Sequence, residues 1–250
     1  MLAPRSARMA LRLYAAVATV HLASQLTGQE TSSRVTQWFL MPMLAVFLLV
    51  STGSATREGA ERPARGLSGA AGRGRLATLT LVALGFAWFG DSAPSLTHGD
   101  MAFLTMVGFF LLAQVVYIVA FWPHRRTSVL HRRRILLVPY LVAVGALVAA
   151  CAPHAGALLV PVLVYGALLG TMAVLATGLN ALTWAGGALF LVSDGLIALN
   201  AFAPWWDLPQ QGFAVMLTYC AAQLLIVLGV VRARASGLNA QVDHSGHPST

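Results

Sequence analysis

Eight long apolar stretches leave this chain of 250 residues few ways to fold. They lie at roughly 10–27, 36–53, 76–96, 101–122, 134–152, 154–176, 179–203 and 211–232. A helix rises about 1.5 Å per residue, so about 20 apolar residues cross a hydrocarbon core about 30 Å thick. In that core every backbone polar group needs an internal partner, which selects helix over irregular chain. The expected fold is all-α, a polytopic membrane protein of eight transmembrane helices. Composition agrees, since only 10% of the residues are charged where a soluble domain carries about 25%. Residues 1–234 read as one transmembrane domain, and 235–250, ending DHSGHPST, as a polar, disordered cytoplasmic tail.

The arginines set the orientation. All sixteen basic side chains are Arg. Arg5, Arg8 and Arg12 open the chain, Arg57, Arg62, Arg65, Arg73 and Arg75 fill the second connection, Arg125, Arg126, Arg132, Arg133 and Arg134 fill the fourth, and Arg232 and Arg234 follow the last span. Only Arg34 falls on the other side. With eight crossings, the positive-inside rule then puts both termini in the cytoplasm, and the expected location is a bacterial inner membrane. The net charge of +8 reads as topology and contact with anionic membrane lipids rather than nucleic-acid binding, because no basic-aromatic module accompanies it. The first span resembles a signal peptide in its Arg-rich start, but a cleavage pattern is poor near Ala23, so it reads as an uncleaved helix. The connection SATREGAERPARGLSGAAGRGR at 54–75 reads as a mobile cytoplasmic loop.

One charge stands inside the run WAGGALFLVSDGLIALNAF at 184–202, that of Asp194. An Asp at the centre of a membrane-spanning helix costs roughly 2.5–3.5 kcal/mol, so something must compensate for it or use it. A second, Asp91, lies in WFGDSA of the third span, fifteen residues past Leu76. At the helical rise, both carboxylates fall in the middle to outer half of the bilayer. The halves also share short patterns: LMPMLAVFLL with LVPVLVYGALL, WFGDSA with LVSDGL, and LLAQVVYIV with AAQLLIVLG. These pair Pro42 with Pro161, Asp91 with Asp194 and Gln114 with Gln223, which suggests a 4+4 parallel repeat.

Other polar residues cluster by helical spacing. Tyr219 and Gln223 are four apart, and Gln114 and Tyr117 three apart, so each pair shares a face. The stripe Phe103, Val107, Phe110, Gln114, Tyr117, Phe121 is expected to form a pocket wall. Ser193 adjoins Asp194 and is expected to support its carboxyl, while Gly186 and Gly187 permit close helix packing. His21 reads as a satisfied core histidine, Asp100 as a cap of the fourth span, and Cys151 and Cys220 as packing residues. Two readings of the aspartates stand: hydrogen-bonded packing residues, or members of a shared polar cavity whose surroundings separate an acid from a base.

Common mechanisms lack their parts: the chain holds no HExxH, GxSxG, Walker loop or Cys/His cluster. Asp194-Gly195 followed by Ala198 looks like the start of a DGxxAR metal site, but Leu199 replaces the Arg, and Gly212 and Met216 replace the downstream aspartates. TQWFLMPMLA, ALGFAWFGDSAPSL, FLTMVGFFLLAQVVYIVAF, GGALFLVSDGLIALNAF and TYCAAQLLI, in that order, resemble the YhhN-like integral-membrane lysoplasmalogenase family. Two positions depart from it, Gln37 and Gln114 standing where members often carry Lys and His.

The resemblance implies an enzyme that hydrolyses the vinyl ether of a lysophospholipid substrate to a fatty aldehyde and glycerophosphoethanolamine or glycerophosphocholine. It implies Asp91 and Asp194 as the catalytic acid and base, with Gln37, Gln114, Tyr117, Ser193, Tyr219 and Gln223 holding substrate and water. No cofactor and no metal are implied. A rival from another class is a proton-coupled lipid or small-solute transporter that uses the paired aspartates.

Overall fold

The structure, a computed structural model, describes residues 5–60, 67–96 and 99–245. The helices are α1 (Arg5–Leu26), α2 (Glu30–Ala60), α3 (Leu67–Ser92), α4 (Asp100–Phe121), the short α5 (Val129–Arg132), α6 (Leu137–Cys151), α7 (Leu159–Ala176), α8 (Ala181–Phe202) and α9 (Gln211–Ser245). No strand occurs among the described residues.

Seven of the helices are long and apolar enough to cross a membrane: α2, α3, α4 and α6 to α9, with their flanking turns. The first does not reach that apolarity, although it is 22 residues long. Its Arg5, Arg8, His21, Ser24 and Gln25 dilute the apolar run. It packs along α2 and reaches α9, where the buried Tyr14 hydroxyl donates to the Cys220 carbonyl at 2.9 Å.

Hydropathy marks where a span ends, and the helices go further. Within the stretch expected to be a loop, α2 continues to Ala60 and α3 already begins at Leu67, with 61–66 outside the described residues. Ala, Arg and Glu favour helix as well as water, so polarity there ends the span without ending the helix. Likewise α9 runs to Ser245, past the Arg234 where a disordered tail was expected to start, and 246–250 lie outside the described residues.

Small residues bring α7, α8 and α9 together. A Cβ on Gly186 would lie 2.8 Å from the Ala222 carbonyl oxygen of α9, and one on Gly187 would lie 2.9 Å from Ala176 Cβ of α7. With no hydrophobic force between helices in lipid, such close backbone approach supplies the packing energy. Asn180 caps α8 by accepting from the Leu182 and Thr183 backbone amides, and its own amide donates to the Gly229 carbonyl at 2.8 Å. The cap fixes α8 lengthwise against α9 and so sets the level of Asp194. In the same bundle α3 packs on α4, α2 on α3 and α9, and α7 on α4 and α6.

Candidate functional site

Asp194 lies near the middle of α8 and is 4% exposed. Its Oδ2 accepts two hydrogen bonds, from Gln114 Nε2 of α4 at 2.9 Å and from the Tyr165 hydroxyl of α7 at 2.6 Å. Three helices therefore converge on one carboxylate oxygen. Those donors offset the cost of a carboxyl in an apolar helix, which is borne only when its oxygens are partnered.

Asp91 is held differently. It occupies the last turn of α3, which ends at Ser92 and tightens into a 3-10 turn over Ala93–Leu96, where Pro94 has no amide hydrogen to continue the α-helical bonding. The negative end of the helix dipole faces a carboxylate there unfavourably, so outside donors matter. The Tyr219 hydroxyl of α9 donates to Asp91 Oδ2 at 2.8 Å, and Gln37 of α2 lines the same cavity beside that carboxyl. Gly90 explains the Gly-Asp pairing in the sequence: a Cβ there would press on the Phe110 ring at 3.1 Å. Phe110 in turn stands edge-on to Tyr219, with ring centroids 5.6 Å apart, Phe190 does the same at 6.0 Å, and the two phenylalanines meet edge-on at 6.5 Å. This cluster of three rings packs against the phenol that reaches Asp91.

Both carboxylates line one cavity of about 490 Å³, together with Arg34, Gln37, Pro94, Ser95, Ser193 and Tyr219. A narrower apolar cleft of about 70 Å³ runs between α4, α6, α7 and α8, lined by Phe103, Val107, Leu147, Val162, Tyr165 and Ile197 among others. Asp194 borders both spaces, as do Met106, Phe110 and Ile197; Asp91 borders only the first.

The remaining expected residues divide. Gln37, Ser193 and Tyr219 reach the cavity. The Ser193 hydroxyl donates to the Val215 carbonyl at 3.2 Å rather than to the neighbouring carboxyl, so it fastens α8 to α9. Gln114 contacts Asp194 from the core side and lines neither space. Tyr117 and Gln223, both fully buried, are engaged with each other through a 2.6 Å hydrogen bond. The expected pocket wall therefore splits: Phe103, Val107 and Phe110 face the cleft, while Gln114, Tyr117 and Phe121 lie in the core. His21 bonds Thr36 Oγ1 at 2.9 Å and the Ser33 carbonyl at 3.1 Å, away from the site. Tyr165 was missed in the sequence because it stands alone in LVPVLVYGALL; a single tyrosine at mid-span, away from any interface, was the available signal.

Comparison with known proteins adds the family. The model of the YhhN family matches residues 32–230. Lysoplasmalogenase TMEM86B of Homo sapiens is 42% identical over 79 residues, 30% of this chain and 33% of the human protein. Its Mus musculus counterpart is 36% identical over 80 residues, 30% of this chain and 32% of the mouse protein. The matched stretch thus spans about a third of the length of these curated relatives. No solved structure matches the chain. With the family model running from the start of α2 through nearly all of the membrane portion of α9, and both carboxylates inside that range, the chain belongs to the YhhN family.

Proposed function

We propose that this protein is a lysoplasmalogenase that opens the vinyl ether of a single-chain alkenyl glycerophospholipid by carboxyl acid-base catalysis. The observation that carries the reading is the pair of spaces meeting at Asp194, one wide and lined by two carboxylates and other polar side chains, and one narrow and almost wholly apolar. An amphiphile with a cleavable bond between chain and glycerol fits that division, with the start of its chain in the cleft and its glycerol in the cavity.

Cleavage of a vinyl ether starts by protonating the β-carbon, the vinyl carbon farther from the ether oxygen. This leaves an oxocarbenium ion; water adds to the α-carbon, and the hemiacetal collapses to aldehyde and alcohol. The β-carbon lies on the chain side of the bond. Asp194, which borders the cleft, is therefore assigned as the acid. Asp91, confined to the cavity, orients water and stabilises the cation on the glycerol side. Tyr165 and Gln114 position Asp194, and Tyr219, with Gln37 in the same cavity, positions Asp91. Tyr117 and Gln223 hold α4 against α9.

In the same reading α1 is the eighth crossing, so that fifteen of the sixteen arginines lie on the cytoplasmic side of a bacterial inner membrane with both termini. The two halves form a 4+4 parallel repeat in which α3 corresponds to α8 and α4 to α9. The test is incubation of detergent-solubilised protein with lysoplasmalogen and an ester-linked lysophospholipid side by side. Aldehyde released from the first and no fatty acid released from the second, with no ion gradient present, supports the hydrolase. Gradient-driven uptake into vesicles without aldehyde release identifies the proton-coupled transporter instead.

A further inference from the structure

The cavity that holds the two carboxylates has one basic side chain among its described lining residues, Arg34. Arg34 and Gln37 are three apart on α2 and enter the cavity from one face of that helix. Gln37 lines the cavity beside Asp91, while Arg34, a turn nearer the helix start, remains largely exposed. The cavity thus grades from a guanidinium at its rim to two carboxylates within. Such a gradient favours one orientation of a lipid whose headgroup carries a phosphate: phosphate outward on the arginine, ether bond inward between the aspartates. Without the arginine, a phosphate entering this space meets only acidic and neutral groups.

We infer that Arg34 is the phosphate-binding residue of this site, selecting lipids with a phosphorylated headgroup over neutral alkenylglycerols. The inference rests on the proposed function for the identity of the lipid. Arginine presents a planar fork of donors that matches phosphate oxygens in pairs, and it holds its charge throughout the physiological range. Its present partner does not compete strongly. The Glu30 carboxylate meets Arg34 at 3.1 Å one turn away, with the two side chains 72% and 80% exposed, a setting in which an ion pair contributes little. The pair leaves the guanidinium free to turn toward the cavity while keeping it at the rim. On the eight-crossing topology proposed above, the placement also accounts for the one arginine opposite the other fifteen, where a cation works against the positive-inside pattern.

The test measures binding and so does not depend on turnover. The full-length protein in neutral detergent is titrated with an unreactive saturated 1-O-alkyl lysophosphoethanolamine and with the phosphate-free 1-O-alkylglycerol. The unchanged protein is expected to bind the phospholipid about tenfold more tightly, as one charge-assisted bidentate contact allows. In Arg34→Ala that preference disappears while alkylglycerol affinity stays within about twofold; Arg34→Lys restores part of it, and Glu30→Gln keeps it. Added salt weakens the preference, since the contact is at the rim. Equal losses for both ligands in Arg34→Ala, an intact preference there, no preference in the unchanged protein, or a loss in Glu30→Gln as large as in Arg34→Ala overturns the assignment. A phosphate preference that depends on Arg34 in a protein releasing no aldehyde would sink the hydrolase reading and leave the phosphate site standing.

Discussion

Asp194 sits in the middle of α8 with 4% of its surface exposed, whereas Asp91 sits in the last turn of α3 and is half-buried. The first receives two donors on a single oxygen from two other helices; the second receives a tyrosine from α9, with a glutamine of α2 in the same cavity. Only Asp194 touches the apolar cleft. The same residue type has therefore been placed twice around one cavity with different access, one carboxyl where a hydrocarbon chain would lie and one where water and polar groups would. In the proposed mechanism, their difference in surroundings, more than their shared chemistry, is what separates two tasks.

Substitution of the carboxyls breaks the comparison most sharply. Asp194→Asn is expected to lower aldehyde release about a thousandfold, the middle of the range for a general acid. The Asn oxygen can still accept from Gln114 and Tyr165, so the thermal unfolding midpoint should stay within a few degrees. Asp91→Asn should lower the rate less, about a hundredfold, because water can still enter the wide cavity unaided. If the larger loss came from Asp91, the assignment of acid and base would have to be exchanged.

Filling the cleft separates the two neighbourhoods by steric means. Val162→Trp is expected to raise KM for a long-chain lysoplasmalogen about tenfold and to leave a short-chain one nearly unchanged, read from initial rates across chain lengths. A uniform rise would mean that the chain does not lie in the cleft. The tyrosines give the smallest effects. Tyr165→Phe should lower kcat about fivefold and Tyr219→Phe about threefold, within what one lost hydrogen bond costs. Melting midpoints of both variants equal to that of the unchanged protein would support these bonds positioning the carboxyls rather than holding the bundle.

Much of this was legible in the sequence, for physical reasons that can be named. Lipid requires apolar helices, so the spans appear as runs, and an isolated Asp in such a run is costly enough to stand out. Gly186 and Gly187 announced the close contact of α8 with its neighbours. Helix ends were less visible, because α2 and α9 continue as helices into water, beyond the point where hydropathy falls. Partner choice was less visible still. Gln114 and Tyr117 share one face of α4, yet the first turns to Asp194 on α8 and the second to Gln223 on α9. Spacing along one helix fixes a face, and only the arrangement of neighbouring helices decides what that face meets. Tyr165 shows the converse: a lone mid-span tyrosine in LVYGALL marks a donor but not its acceptor, which is set by α8 lying opposite.

The central claim is that a carboxylic acid of the protein protonates the vinyl carbon on the chain side of the ether. Its most direct test is to run the reaction of purified protein with lysoplasmalogen in D2O and examine the aldehyde by mass spectrometry. Expected is one deuterium at the carbon next to the aldehyde group from the unchanged protein, and no aldehyde above background from a variant carrying both Asp91→Asn and Asp194→Asn. Aldehyde without that deuterium, or undiminished release by the double variant, would contradict it.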